Sequence, residues 1–560
     1  MRQNKIITRF SILLGMLFFW GNSFAQISVS INQQTIKQII PQIEKTSGYN
    51  VFYTDKLPNL DTRKDLHVSN APLEAILKEL FKGTKITFEI KPNKQVLLFQ
   101  QANKPSGNRK QVPSKLLVEA ESFDRKGGWV VDQQFMDLMG SPYLMAHGMG
   151  VPVEDASTTI SFPKDGTYYV FVRTYNWTSP WYDGKGPGKF TLAVDNKKLP
   201  VVLGDEGKQW MWQPAGTVSV KAGSSSLTLK DLTGFNGRCD AIYFTTEKGQ
   251  LPPAQATQLT DFRKKMLDIP AEPEQYSYDV IVTGGGIAGM CAAATASRLG
   301  CKVALINDRP VLGGNNSSEV RVHLGGNIGV GPNSGLGRMI REFGHSKEGN
   351  AKPAANYEDE KKELFIANEK NITLYANYRA ISVKTDGNRI ESVIIKHIEN
   401  GKEVELKAPL FSDCTGDGTI GYLAGADYNM GRESRTEYGE ELAPIQPDKM
   451  TMGSSVQWYS ADKGKPTRFP IFSYGLQFNE KNCEKVTMGE WKWETGMNFN
   501  QIDDFERIRD YGLMVIYSNW SFLKNELKDN KKYKNRALVS LYCRETRITP
   551  IVGRLYSKAR

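Results

Sequence analysis

The chain has 560 residues, 40% hydrophobic and 24% charged, with a formal net charge of +11. That length and apolar content are enough for several buried cores, roughly three or four domains. Arg2, Lys5 and Arg9 account for part of the positive excess and the rest is spread along the chain, with no dense basic run interleaved with aromatics, which argues against a nucleic-acid partner.

Residues 1–25 read as a signal peptide: Met1 to Arg9 is basic, Phe10 to Trp20 is an apolar core, and Ser23-Phe24-Ala25 offers a small-x-small cleavage site before Gln26. The apolar core is too short to span a bilayer, no Cys adjoins the cleavage site, and no later segment is long and apolar enough to cross a membrane. The expectation is an exported, soluble mature chain.

Residues 26–100 read as a small α+β unit. Ile27, Val29 and Ile31 alternate as in a strand, while Ile36, Ile39, Ile40 and Ile43 give a helical stripe that Pro41 should kink. Val51-Phe52-Tyr53 reads as a second strand. Asn70 is expected to cap a helix with Pro72 in its first turn and Leu73, Ile76, Leu77 and Leu80 on its buried face. Ile86-Thr87-Phe88 and Val96-Leu97-Leu98-Phe99 close the unit as a hairpin.

Within this stretch, the runs Gln42 to Val51 and Asn70 to Leu77 resemble the secretin and TonB short N-terminal domain. That family sits in the periplasm of Gram-negative bacteria, usually on outer-membrane receptors, where it contacts signalling partners. The resemblance implies a periplasmic location and a protein contact, with a plain folded appendage as the alternative.

A polar linker at 101–115 leads into an all-β region, 116–246, where Tyr168 to Val172 and Phe190 to Val194 alternate between turn clusters as in a sandwich. The opening Val118-Glu119-Ala120-Glu121 and the closing Cys239-Asp240-Ala241-Ile242-Tyr243-Phe244 resemble the ends of carbohydrate-binding jelly rolls, and the whole region resembles the golvesin and xanthan-lyase type of binding domain. The resemblance implies a structural calcium, for which Glu119, Glu121 and Asp240 supply hard oxygens. Trp177, Trp181, Tyr182, Trp210 and Trp212 lie in turn-rich segments, where they either stack on sugar rings or fill the sandwich. Residues 247–275, with Pro252-Pro253, read as a second linker.

From 276 to 560 the pattern changes to α/β of the Rossmann type. In the run Tyr278 to Thr283 a short apolar strand leads into Gly284-Gly285-Gly286-Ile287-Ala288-Gly289 and then an Ala-rich helix. Gly284 serves the tight turn, Gly286 lets a pyrophosphate approach the main chain, and Gly289 lets the helix pack on the strand. The helix N-terminus then faces the pyrophosphate. A second strand, Val303 to Ile306, completes a strand-helix-strand unit of about 30 residues.

Asn307-Asp308-Arg309-Pro310 and Gly313-Gly314 follow, and with them the chain resembles the FAD-dependent oxidoreductases with two dinucleotide folds, in the branch that includes the heterodisulfide reductase flavoprotein subunit. The resemblance implies FAD as cofactor. The family's ribose-binding Glu falls on Asn307, whose amide can still accept from a hydroxyl; Asp308 next door is the alternative. Asp413-Cys414-Thr415-Gly416-Asp417-Gly418 resembles the segment that returns to the flavin, which adds Thr415, Gly416 and Asp417 to the cofactor site. Between them, Asn315 to His323 should lie along the flavin. Arg321 could meet a phosphate or a substrate anion there, and His323 is either the general acid or base or a structural histidine.

The six cysteines are dispersed, with no CxxC and no metal-ligand spacing, so no iron-sulfur cluster is expected, and Cys291 reads as a small buried hydrophobe. Related flavoproteins return to the dinucleotide fold through another Gly-rich segment. Arg544-Glu545-Thr546-Arg547 resembles the start of that return, but Ile548-Thr549-Pro550 and the basic tail do not continue it. The flavin domain is therefore expected to be incomplete.

These features together predict a multidomain chain: a small α+β unit, a jelly-roll-like sandwich and a Rossmann-type FAD domain. The function they suggest is a periplasmic FAD-dependent oxidoreductase acting by hydride transfer on a saccharide or glycan-derived substrate. The alternatives are a non-catalytic glycan-binding or signalling-contact protein with a degenerate flavin fold, and a polysaccharide lyase-like activity.

Overall fold

The structure is a computed structural model that describes residues 27–539 apart from 55–56, 92–93, 101–113, 327–328, 336, 345–346, 348 and 490–493. The expected leader, Cys543 and the family-like run Arg544 to Arg547 lie outside the described residues. The chain divides into two compact units, Met1–Val112 and Pro113–Arg560.

In the first unit the strand Ile27–Thr35 pairs antiparallel with Arg63–Ala71, a strand that the apolar pattern did not announce. Thr35 and Gln38 form a capping box that starts the helix Ile36–Ser47, Gly48 closes it in the left-handed conformation, and Pro41 lies within it. The helix buries Ile36, Ile39, Ile40 and Ile43 in one core with Leu73, Ile76, Leu77 and Leu80 of the helix Leu73–Leu80. That second helix starts after Pro72 without a side-chain cap; Asn70 instead ends the preceding strand with φ +52°. Gln95–Gln100 pairs parallel with Asn50–Phe52 and antiparallel with Ile86–Lys91, which completes the unit.

The second unit opens with two four-stranded sheets that enclose one core. The first has the order Met211–Val220, Gly166–Thr174, Ala241–Thr245, Lys115–Glu119; the second has Lys197–Lys198, Phe190–Val194, Gly223–Asp231, Ala156–Phe162. Inward-facing Leu144, Phe162, Val170, Phe190, Leu229 and Phe244 fill the space between them.

The acidic residues expected to hold calcium do converge, but around arginines. Arg263 donates from Nε to Glu119 at 2.9 Å and from Nη2 to Asp240 at 2.6 Å, and Arg173 Nη1 donates to Asp240 at 2.7 Å. Burial pushes the Glu121 carboxyl well up, and Glu119 and Asp240 push it further, the reverse of what a calcium-binding carboxylate needs. Among the described residues no group of metal-ligating side chains is placed to hold an ion. Arg263 belongs to a helix, Ala256–Met266, inside the stretch read as a linker, and Leu259 of that helix is fully buried against the sandwich.

The aromatics proposed to stack on sugars are correspondingly engaged. Trp177 and Trp212 are buried, and their indole N–H groups donate to the carbonyls of Phe235 and Pro253. Trp181 packs on Tyr511, Tyr182 on Tyr474, and Trp210 on Tyr143 and Tyr175 while donating to Glu506. Their partners on residues 456–538 share one core with Phe135, Tyr143, Trp177 and Phe235, so the sandwich and the helix Phe505–Asn525 are packed as one body.

His147, at this seam, donates from Nδ1 to Asn236 Oδ1 at 2.7 Å, and burial pushes its imidazole down to about 4 from an ordinary 6.5. A base depressed in this way contributes stability above pH 6.5 that is lost as pH falls toward 4, by up to about 3 kcal/mol. We expect His147→Gln to remove that part of the acid sensitivity: the gap in unfolding free energy between variant and wild type should shift in the variant's favour from pH 7 to pH 4, as read by urea denaturation at both pH values.

The nucleotide-binding sheet is fully parallel, in the order Ile372–Ala376, Val303–Asn307, Val280–Thr283, Leu410–Asp413. Its two central strands are buried on both faces, as a parallel sheet requires: Ile281, Ala304 and Ile306 face one core, and Val282, Val303 and Leu305 face the other. A second sheet, Glu274–Ser277, Glu403–Lys407, Arg389–His397 and Tyr378–Asp386, covers one side. Cys291 sits half-buried in the helix core, and the five described cysteines are all free thiols. No helix among the described residues is long and apolar enough to cross a membrane.

Candidate cofactor site

The site begins where the strand Val280–Thr283 ends. Gly284 turns the chain with φ +105°, and a Cβ on it would lie 2.2 Å from the Cys414 carbonyl oxygen. The turn can therefore nest against the returning strand only as glycine. Gly289, one turn into the helix Ile287–Arg298, comes so close that a Cβ there would sit 1.8 Å from the Gly284 carbonyl oxygen. A Cβ on Gly286 would meet only the Gly314 Cα, at 3.8 Å, so its bare face opens into the cleft. The Gly313 N–H donates to the Gly285 carbonyl at 2.9 Å, which fixes the Gly313-Gly314 loop against the turn.

Together these segments border a cleft of about 490 Å³. Gly284, Gly286, Ile287 and Ala288 form its floor; Asn307, Asp308, Arg309, Gly313 and Gly314 form one wall; Thr415, Gly416 and Asp417 form another. Gly289 lies behind the floor. Asp413 holds the returning loop in shape: its Oδ1 accepts from the Thr415 N–H and hydroxyl, and its Oδ2 from the N–H groups of Ile420 and Gly421. The helix N-terminus presents unpaired N–H groups and a partial positive charge toward the cleft, as a pyrophosphate requires. The bare Gly286 face and the glycine loop opposite it leave the backbone approach that a dinucleotide needs, so the residues present fit FAD.

Asn307, at the position of the family's acid, uses its amide as a double donor, to the carbonyls of Arg309 at 2.8 Å and Val311 at 3.0 Å. A carboxylate there would face two carbonyl oxygens. We therefore expect Asn307→Asp, although closer to the family's acidic residue, to bind FAD roughly tenfold more weakly than wild type, since two buried acceptors lose their donor; flavin fluorescence titration reads this directly.

His323 lines the cleft. The Asn350 Oδ1 accepts from the His323 backbone N–H at 3.1 Å and lies 3.0 Å from its ring Nδ1. An oxygen already taking one N–H orients the Nδ1–H toward it as well, which leaves Nε2 as the acceptor side of a neutral imidazole. Arg321 does not reach the cleft. It is buried at φ +63°, with Nε donating to the Ser318 carbonyl at 2.6 Å and Nη1 to that of Lys352 at 3.2 Å, so it supports the loop rather than meeting a phosphate or substrate anion.

Other parts of the cleft come from places that no motif marked. Tyr378 and Arg379 belong to the covering sheet, Phe505 to the start of the long helix and Ile502 to the turn before it, and Gln133 and Asp137 to the sandwich. Arg379 Nη1 donates to Asp308 at 2.9 Å while its other edge engages Asp137. None of these residues is near the glycine turn in sequence, and only folding brings them there.

A parallel sheet with this order, a glycine turn and a helix N-terminus at its carboxyl end define a dinucleotide-binding fold. Residues 279–549 match the family described as FAD dependent oxidoreductase, and residues 49–101 match the secretin and TonB N terminus short domain. Soluble pyridine nucleotide transhydrogenase of Ectopseudomonas mendocina is 37% identical over 68 residues, 12% of this chain and 13% of that protein. Among solved structures, L-proline dehydrogenase from P. horikoshii is 23% identical, with 30% of this chain and 26% of that one covered and a TM-score of 0.18. A geranylgeranyl bacteriochlorophyll reductase-like protein from Thermoplasma acidophilum is 18% identical, with 34% and 48% covered and a TM-score of 0.20. The GH26-CBM35 mannanase of Podospora anserina is 15% identical, with 35% and 51% covered and a TM-score of 0.20.

Proposed function

We propose that the chain is an FAD-dependent oxidoreductase of the Gram-negative periplasm that oxidises a hydroxyl-bearing small molecule of the saccharide class. The observation that carries the redox reading is the cleft itself, with the bare Gly286 face, the helix N-terminus and the Thr415–Asp417 loop converging on one side of a parallel sheet. The family match of 279–549 supports it. The periplasmic part rests on the secretin and TonB domain and on the leader-like N-terminus. The saccharide part rests on the likeness of 116–246 to carbohydrate-binding domains.

FAD, when bound, supplies a two-electron acceptor for the hydride of a carbinol C–H. The chain's own residues do the rest. The Asn350 oxygen holds the His323 ring so that Nε2 takes the proton of the substrate hydroxyl as the C–O bond gains its second order. Gly284 to Ala288 position the dinucleotide through backbone N–H groups.

The test is the visible absorption of the purified full-length chain, with released cofactor quantified. We expect about one FAD per chain, and reduction by a sugar under anaerobic conditions that is much slower in His323→Ala. Colourless protein that takes up no added FAD would leave a binding protein with an inert flavin fold. Equal reduction rates in wild type and variant would remove His323 from the chemistry.

A further inference from the structure

The sandwich enters the cofactor cleft. Between its strand Val130–Asp132 and short helix Met136–Met139, the chain crosses to the end of the second nucleotide strand, and Gln133, Phe135, Asp137 and Leu138 line the same cleft as the glycine turn. Gln133 is 1% exposed. Its Nε2 donates to the Asp308 carbonyl at 3.0 Å, which seats it where a dinucleotide fold receives the adenosine ribose.

Gln133 Oε1 is buried with no hydrogen-bond partner among the described residues. A buried acceptor left unmade destabilises the protein and calls for an explanation. The two residues at the strand end are meanwhile engaged. Asn307 gives both amide hydrogens to its own loop, with Oδ1 against Gly285, and the Asp308 carboxylate is held by Arg379. Gln133 thus brings to this end of the cleft a buried acceptor with no hydrogen-bond partner among the described residues, and it comes from another part of the fold. The terminal torsion of a glutamine is soft, so a modest tilt turns Oε1 toward the cleft while Nε2 keeps its carbonyl.

We propose that Gln133 of the β-sandwich is an FAD-binding residue whose Oε1 accepts from a ribose hydroxyl at the adenosine end, replacing the acid that Asn307 does not supply. The sandwich is then part of the cofactor site, and its Asp137–Arg379–Asp308 bridge holds the two parts in register. This rests on the FAD reading above.

The experiment titrates the full-length apo chain with FAD, ADP and FMN, comparing wild type with Gln133→Leu. FAD and ADP carry the adenosine ribose; FMN does not. Expected is an about tenfold loss of affinity for FAD and a parallel loss for ADP, with FMN affinity unchanged and the apo thermal midpoint no lower than wild type, since the variant also removes the unpartnered acceptor. Gln133→Asn keeps an amide with shorter reach and should give the same selective loss if the leucine variant misfolds. Unchanged FAD and ADP affinity, or an equal loss of FMN, overturns the proposal. Wild type that binds ADP but not FAD would sink the flavin reading and leave the ribose contact standing; binding of neither overturns both.

Discussion

Gly286→Val should leave the chain folded and strip it of flavin. A side chain at this position points into the cleft, where its Cβ meets nothing closer than the Gly314 Cα at 3.8 Å, so the apo protein accommodates it with a small change in stability. The occupant of the cleft does not share that tolerance. The branched carbons stand where the pyrophosphate must approach the main chain, so the helix N-terminus is screened from the charge it should receive. We expect FAD affinity to fall by at least about a hundredfold, read by fluorescence titration, while the thermal midpoint of the apo protein moves little. Gly289→Val makes the contrast: its Cβ would lie 1.8 Å from a backbone oxygen, so that variant should lose both flavin and stability. Wild-type FAD affinity in Gly286→Val would mean that the dinucleotide does not cross the turn.

Arg238→Met should be the most destabilising single change at the seam between the sandwich and the long helix. Arg238 is fully buried, donates to Asp510 at 2.6 and 2.9 Å, to Glu506 at 2.8 Å and to the Tyr175 hydroxyl at 2.8 Å, and lies over the rings of Tyr143, Tyr175 and Trp177. Arg509 completes the group by engaging Asp132, Asp510 and the Tyr143 hydroxyl. Burial pushes the Glu506 carboxyl up while Arg238 holds it down. Removing that cation leaves carboxylates desolvated and short of a partner, a loss of about 3–5 kcal/mol. Urea denaturation measures it, and Arg238→Met combined with Asp510→Asn should cost less than the sum of the single changes because the stranded charge is then gone. Because Phe505 of the same helix and Ile502 just before it border the cofactor cleft, the single variant should also bind FAD more weakly. Additive losses would show that the two charges do not act as a pair.

Much of the nucleotide fold was legible in the chain because its signals are local. The turn needs glycine at consecutive positions for backbone reasons, and the strands beside it are short apolar runs, so Gly284, Gly286, Asn307, Gly313, Thr415 and Asp417 could be named as neighbours and do line one cleft. The helical stripes of the N-terminal unit are local in the same way, with four isoleucines on one face and a capping box at its start. Arg321 was misjudged because sequence placed it near the flavin but could not say which way a guanidinium turns; backbone carbonyls within the protein claim it.

Tertiary structure decided the remainder, wherever a residue's role depends on a partner far along the chain. Glu119 and Asp240 look like cation ligands until Arg263, from a stretch read as a linker, arrives with the charge they need, while burial pushes Glu121 toward its neutral form. Trp177 and Trp212 look like sugar platforms until the segments they cover are seen to claim their apolar faces and their N–H groups. Gln133 carried no signal at all, since its position in the cleft is set by strand pairing inside the sandwich and by the packing of the sandwich on the nucleotide fold. Sequence by itself determined the backbone-dictated turn, the periodic faces and hence the class of cofactor. Long-range packing decided which charges pair, which aromatics are buried and which parts of the chain meet at the site, because those depend on contacts that no local pattern encodes.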